Sequence, residues 1–358
     1  MGKLTPKVIK GIEKPPTINV NSIRRFQERR KVKPVETYVK GILAGNRVLL
    51  SQAITLIESN KTTHQEKAQA IINACLPHAK QSFRLGITGT PGVGKSTFIE
   101  GFGQSVIEQG KQLAVLAVDP TSQISQGSIL GDKTRMINLS TNKDAFIRPS
   151  PAGSSLGGVA RKTRESIILC EAAGFDFIMI ETVGVGQSEI AVHSMVDFFL
   201  LLLLPGAGDE LQGIKRGIVE MADLIAINKA DGDNLTRAKL AQREYRNGLH
   251  MFPPKLSQWT AKATICSGLS GMGMENIWEE ITNYQKQTTE NDYFNTNRQQ
   301  QSKYWLHETI KNHLHQMFYE HPEIKSQIKG IENQIEAGKL SPFNGAEQLL
   351  KLLKQKNT

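Results

Sequence analysis

Two rhythms of apolar and polar residues alternate along this chain. From residue 83 to about 285, short runs of consecutive apolar residues recur, separated by longer stretches with apolar residues three or four apart. The runs at 83–88, 113–118, 175–180, 196–204, 223–227 and 262–266, with a shorter one at 145–148, predict strands. The most apolar of them, Phe198 to Leu204, is too short to span a bilayer and fits a central strand covered on both faces. Strand and helix in alternation predict an α/β domain with a three-layer, mostly parallel sheet over 83–285.

Both flanks follow a helical rhythm. In residues 36–82, Val39, Ile42, Leu43, Val48, Leu49, Ile54 and Ile57 predict helix, Ile71 to Cys75 continues it, and Pro77 ends it. Residues 286–303 are rich in Gln, Asn and Thr and read as a linker or a solvated helix. Beyond them, Trp305, Leu306, Ile310, Leu314, Met317 and Phe318, then Leu349, Leu350, Leu352 and Leu353, predict two or three amphipathic helices broken near Pro322 and Pro342. This 286–358 arm either packs on the sheet domain or forms an oligomer interface. No internal repeat is visible.

Composition changes this picture at one end only. Of the net charge of +10, most lies in residues 1–33, where ten Lys and Arg face Glu13 and Glu28, leaving the remainder near +2. Residues 1–35 therefore read as a basic, flexible arm, with an acidic partner surface or a transit peptide as the other readings. A nearly balanced body argues against a nucleic-acid-binding face. No apolar stretch follows the basic start, so no signal peptide or membrane segment is expected. The three cysteines, Cys75, Cys170 and Cys266, are widely spaced and suit a reducing cytoplasm, with Cys75 and Cys170 as small core residues.

The candidate chemistry gathers where the predicted strands end. Gly89-Thr90-Pro91-Gly92-Val93-Gly94-Lys95-Ser96-Thr97 follows the first strand and opens a helix over 96–109, matching the phosphate-binding loop. Glycines let successive N–H groups face one anion, the helix adds its positive end, Lys95 reaches the β- and γ-phosphates, and the Ser96 hydroxyl holds Mg²⁺. Asn228-Lys229-Ala230-Asp231 follows the 223–227 strand and matches a guanine-recognition motif. The Asp231 carboxylate accepts from two donors that adenine lacks, and the Lys229 stem covers the base. Ser267, Gly268 and Leu269 close the last strand and offer backbone contacts to the base edge, or form a simple turn.

Glu181-Thr182-Val183-Gly184 follows the 175–180 strand where a γ-phosphate sensor belongs, with Glu181 binding Mg²⁺ directly or through water. Val185 comes next, so the water-orienting glutamine of Ras-like enzymes is missing there and hydrolysis is slow or completed by other groups. Asp119 and Asp132 flank a polar segment, 121–131, that reads as a first switch; they lie near the metal or cap local turns. Lys215 neutralises charge near the phosphates or across an interface, or is a solvated helix lysine. His307, His313, His315 and His321 lack zinc-site spacing and read as surface residues, and Arg161 to Arg164 as a solvated helix start.

Four stretches together resemble one family. They are Gly127 to Met136 (GSILGDKTRM), Leu156 to Glu165 (LGGVARKTRE), Glu181 to Glu189 (ETVGVGQSE) and Pro205 to Lys215 (PGAGDELQGIK). They are similar to MeaB/ArgK-type GTPases, P-loop proteins of the SIMIBI class that include the methylmalonic aciduria type A protein, over roughly 36–285. Gln123 to Gln126 and the Ser267-Gly268 pair depart from the usual family pattern. The resemblance implies a GTP hydrolase using GTP/GDP and Mg²⁺. It implies a chaperone of methylmalonyl-CoA mutase or a related adenosylcobalamin-dependent acyl-CoA mutase, gating cofactor loading and protecting or reactivating it. It also implies a homodimer joined through the C-terminal arm. Metal positions carry over to Ser96, Asp119, Asp132 and Glu181, and catalytic ones to Lys95, Asp132, Glu181 and Lys215. A nickel or cobalt metallochaperone GTPase is the other reading; it needs Cys or His ligands near the nucleotide, where Cys266 is the one cysteine.

Overall fold

The computed structural model describes residues 32–118, 136–149, 156–182, 188–206 and 216–354. Three helices come first: α1 (Val35–Leu43), α2 (Arg47–Glu58) and α3 (Thr62–Cys75). The Asn46 side chain accepts from the amides of Val48 and Leu49, satisfying two donors that the start of α2 leaves open. Ile42, Leu50, Ile54 and Ile71 carry the apolar faces and are fully buried.

The central domain alternates as its pattern predicts. It runs β1 (Phe83–Gly89), α4 (Lys95–Glu108), β2 (Leu113–Val118), α5 (Ile137–Thr141), β3 (Ala145–Arg148), α6 (Leu156–Ala172) and β4 (Phe177–Thr182). It continues through α7 (Ser188–His193), β5 (Phe198–Leu203), α8 (Arg216–Met221), β6 (Leu224–Ile227), α9 (Leu235–Leu249), β7 (Lys262–Ile265) and α10 (Met274–Glu290). The strands pair in the order β3-β2-β4-β1-β5-β6-β7, and each pairing is parallel. All carboxyl ends therefore share one edge. The chain lays β2 and β3 to one side of β1, returns with β4 between β2 and β1, and then crosses to β5 on the other side, so a crevice opens at the carboxyl end of β1.

Strand alternation divides the core in two. Leu85, Ile87, Phe177, Met179 and Phe198 face α4 and α10, while Ile178, Ile180, Phe199 and Leu201 face α1–α3, α6, α7 and α9. These layers bear out the α/β expectation. The fourth strand begins two residues later than the sequence suggests, because Asp176 is spent on the turn: its carboxylate accepts from the Gln112 amide at 2.8 Å and its carbonyl from the Phe83 amide at 2.8 Å. At the other end the pairing runs on through Thr182, so Glu181 lies inside β4, opposite Ile87 and Ala117, rather than beyond it.

The C-terminal arm corrects a second expectation. Residues 286–303 are helical rather than a linker: α10 continues to Glu290, α11 (Tyr293–Glu320) starts at once, and the solvated-helix reading holds for all but one seated face. The first half of α11 is seated by Trp305, which the hydrophobic pattern registers, and by two polar residues that it overlooks. Arg298 grips both Asp197 carboxylate oxygens and donates to the Ser82 carbonyl, Gln301 donates to the Val196 carbonyl at 2.7 Å, and Trp305 to the Ser194 carbonyl at 3.0 Å. The Arg161 to Arg164 run is likewise not a solvated helix start. Lys162 donates to the Glu58 carbonyl at 2.7 Å, and Arg164 donates to the Gln301 carbonyl and lies 5.2 Å from the Trp305 ring centre. Beyond Trp305, α11 joins α12 (Pro322–Glu336) and α13 (Pro342–Lys354) around Ile324, Ile331 and Leu349. Each of these two helices starts on the proline expected to break the pattern. Among the described residues no helix is long and apolar enough to cross a membrane.

Candidate functional site

β1 feeds directly into the glycine-rich loop, and the turn of that loop requires its last glycine. Gly94 sits at φ 93°, where an L side chain is strained, and a Cβ there would press to 3.0 Å from Asn228 Nδ2. The Val93 amide donates to the Thr90 carbonyl at 3.2 Å, and α4 begins at Lys95. The open amides at the start of α4 make its end a natural anion seat. Ser96 is half-buried on that first turn and Thr97 is exposed.

Lys95 folds back along the loop, its Nζ donating to the carbonyls of Gly89 at 2.7 Å and Thr90 at 3.3 Å. Burial pushes its pKa below the usual lysine value, while the charges of Glu181 and Glu189 oppose that shift. Glu181 is buried on the sheet face that carries α4, and Glu189 is fully buried on α7. The Lys95 cation thus sits in the field of two buried carboxylates beside the amide-lined loop. A hydroxyl and a carboxylate, from Ser96 and Glu181, are hard oxygen donors of the kind Mg²⁺ takes. Among the described residues there is no cluster of three or more His, Cys, Asp and Glu able to hold a metal. The expected contributions of Asp119, Asp132, Gly184 and Lys215 lie outside the described residues.

At the far end of the same edge, β6 and β7 deliver the second loop. Asn228 ties the two halves together: its Nδ2 donates to the Val93 carbonyl at 2.9 Å, and its Oδ1 accepts from the Gly268 amide at 3.0 Å. Lys229 is exposed with φ 58°, its stem passing over Gly94. Asp231 accepts from the Ser267 hydroxyl, which also receives the Ser270 amide at 3.1 Å. The Leu269 side chain is exposed.

Three of these features escape motif reading. Asn228 is visible as part of a tetrapeptide, but not as the clamp between the loops. Glu189 is the last residue of the ETVGVGQSE stretch, and only its complete burial distinguishes it from a surface acid. Gly268 is demanded by close approach: a Cβ would lie 2.9 Å from the Phe98 amide nitrogen and 3.0 Å from Phe98 Cα. Gly268→Ala should therefore displace the second loop from α4 at a cost of about 1–3 kcal/mol. The expected outcome is weaker guanine-nucleotide binding by calorimetry, with α/β content by circular dichroism unchanged.

The comparisons with known proteins agree with this geometry. The sequence model of the methylmalonyl-CoA mutase-associated GTPase MeaB family matches residues 50–323. The mouse (Mus musculus) methylmalonic aciduria type A homolog, a mitochondrial protein, is 46% identical over 333 residues, covering 90% of this chain and 80% of its own length. The GTPase ArgK of Escherichia coli K12 is 42% identical over 311 residues, covering 87% and 94%. A crystal structure titled LAO/AO transport system kinase superposes with a TM-score of 0.72 at 35% identity, covering 90% of this chain and all of that one. The loop-bearing sheet edge, the family match and the shared fold lead to one assignment: the chain is a member of the MeaB family of GTPases.

Proposed function

We propose that this GTPase is a nucleotide-gated chaperone of methylmalonyl-CoA mutase, or of a related adenosylcobalamin-dependent acyl-CoA mutase. In this reading it works in the cytoplasm, and GTP and GDP states bind the mutase differently. The observation that carries the reading is the clamp at Asn228, which joins a phosphate loop to a guanine-type loop on one rigid edge. The names of the family and of the methylmalonic aciduria type A homolog supply the mutase as client.

In the reaction, the loop amides and Lys95 bind and orient the triphosphate, and water attacks the γ-phosphate in line. Lys95 exchanges its carbonyl partners for phosphate oxygens, a move that its flexible stem permits. Bound Mg²⁺ would be held by Ser96 and Glu181, with Asp119 and Asp132 as further ligands, and supplies neutralisation of the phosphate charge. Asp132, Glu181 and Lys215 are the residues we assign to completing the catalytic geometry. The Cys266 thiol is a poor candidate for the metallochaperone reading: burial pushes its pKa up to about 12, and it faces Asn228 Oδ1 at 3.7 Å.

The test is capture of the purified mutase by this chain loaded with GDP or with a non-hydrolysable GTP analogue, together with GTP turnover measured with and without the mutase. Different capture in the two states and altered turnover are expected. Equal capture in both states would overturn the gating.

The arm supports a homodimer. Leu306, Ile310, Leu314 and Met317 recur at steps of four, four and three along α11 and are all exposed, Met317 at 65%. Such a stripe on a long helix suits a second copy. Leu314→Lys with Met317→Lys should convert a dimer to a monomer in light scattering at micromolar concentration and leave nucleotide affinity unchanged.

A further inference from the structure

The phosphate loop and Glu181 reach the nucleotide edge on adjacent strands, and the register between those strands ends there. β1 and β4 pair as far as Ile87 opposite Glu181. Past that point β1 stays with β5, through Gly89 opposite Leu202, while β4 stays with β2, through Thr182 opposite Val118. At the next position a side-chain bond crosses between β1 and β4: the Thr182 hydroxyl donates to the Thr88 hydroxyl at 2.8 Å. Thr88 leads into Gly89 of the loop, and Thr182 directly follows Glu181.

Neither hydroxyl is placed to touch a nucleotide. Both threonines are fully buried. Side chains alternate along a strand, so Thr182 turns to the sheet face opposite Glu181 and away from α4. That face carries the apolar layer of Ile180, Val192 and Leu201. Two valines would fill the same space there without burying a polar group, so packing alone gives no reason for the pair. What the pair adds is direction. A hydrogen bond fixes the spacing of the two strands where their ladder has ended, and with it the place of the Glu181 carboxylate relative to the loop. Lys95 donates to the carbonyl of Gly89, one residue past Thr88, at 2.7 Å, and the Glu181 charge acts on it.

We infer that Thr182, through its bond to Thr88, is a positioning residue for GTP hydrolysis: it holds the Glu181 carboxylate in place beside the phosphate loop. This rests on the role proposed above for Glu181. The measurement is single-turnover hydrolysis of GTP with Mg²⁺ by the full chain, alongside GDP affinity by calorimetry and stability by urea unfolding. Thr182→Val removes the donor and keeps the shape. It should slow hydrolysis about tenfold and leave GDP affinity within about twofold. Thr182→Ser keeps the hydroxyl and should stay within about threefold of the wild-type rate. Thr88→Val with Thr182→Val removes both hydroxyls; it should regain the stability lost in Thr182→Val and yet remain slow. A purely structural pair would regain rate and stability together. Glu181→Ala tests the carboxylate itself and should lose about 100-fold in rate. A wild-type rate in Glu181→Ala would overturn the role of Glu181 and this inference with it. With Glu181→Ala slow, the inference alone is overturned by a wild-type rate in Thr182→Val, by a Thr182→Ser variant as slow as Thr182→Val, by a loss of GDP affinity as large as the loss of rate, or by a double variant that regains its rate.

Discussion

Replacing Asp231 with Asn is expected to weaken GTP binding by about 100- to 1,000-fold and to create a preference for xanthosine nucleotides. In the proposed base contact the carboxylate accepts from the guanine N1–H and the exocyclic amine, two charge-assisted bonds each worth about 1.5–3 kcal/mol. A carboxamide turns one of those acceptors into a donor. It then opposes the guanine amine and matches the oxygen that xanthine carries at the same position. The structure adds a reason for the size of the effect. Asp231 is fixed by the Ser267 hydroxyl, and Ser267 is itself held by the Ser270 amide, so the altered group cannot swing aside. The phosphate end is untouched, because Asn228 and the Val93 carbonyl keep their bond. Calorimetric titration with GTP and XTP reads both arms; GTP affinity at the wild-type level in Asp231→Asn would refute the assigned base contact.

Asp197→Ala is expected to cost about 3–5 kcal/mol of folding stability, the range for removing one member of a buried ion pair. Asp197 is almost completely buried, its side chain 2% exposed, and Arg298 is 13% exposed. Burial alone would lower the Arg298 pKa, but hydrogen bonds to Asp197 and its charge outweigh that and raise it, so the guanidinium stays charged. Removing the carboxylate leaves that cation with the Ser82 carbonyl alone and the Arg84 amide without its side-chain acceptor. The neighbouring Arg84–Glu171 pair, at 2.8 Å, lies in the same network, so the loss falls on β1, β5 and the root of α11 together. The companion variant Asp197→Ala with Arg298→Met removes both charges and should recover part of the loss. Urea unfolding of the three proteins is the measurement. A single variant as stable as the wild type, or a double variant no better than the single, would refute this account.

The arm shows best where sequence reading stops. Phe294, Arg298, Gln301 and Trp305 step along α11 at intervals of four, three and four, the spacing of a seated helix face. Two of the four are polar, so a hydrophobic pattern registers a gap and suggests a linker. Their burial becomes favourable only because Asp197, Ser82 and Val196, more than a hundred residues earlier, supply the partners. Arg164 was missed for the same reason: its partners, Gln301 and Trp305, lie on α11. Glu181 moved from beyond a strand to within it because the end of β4 is set by the pairing of Glu181 and Thr182 with Ile87, Ala117 and Val118 on neighbouring strands, which local propensity does not contain.

The sequence by itself determined the alternation of strand and helix, the parallel sheet it implies, the prolines that break the arm, and the phosphate and guanine motifs. Each of these rests on a short-range rule, a period of two or of 3.6, a glycine turn or a fixed peptide spacing, that is written within a few residues. Only the tertiary structure decided that Asn228 bolts the two loops together, that Gly268 must stay small against Phe98, and that polar residues seat the arm. These depend on which distant groups meet, and the free energy of a buried polar contact is fixed by its partner rather than by its neighbours in sequence.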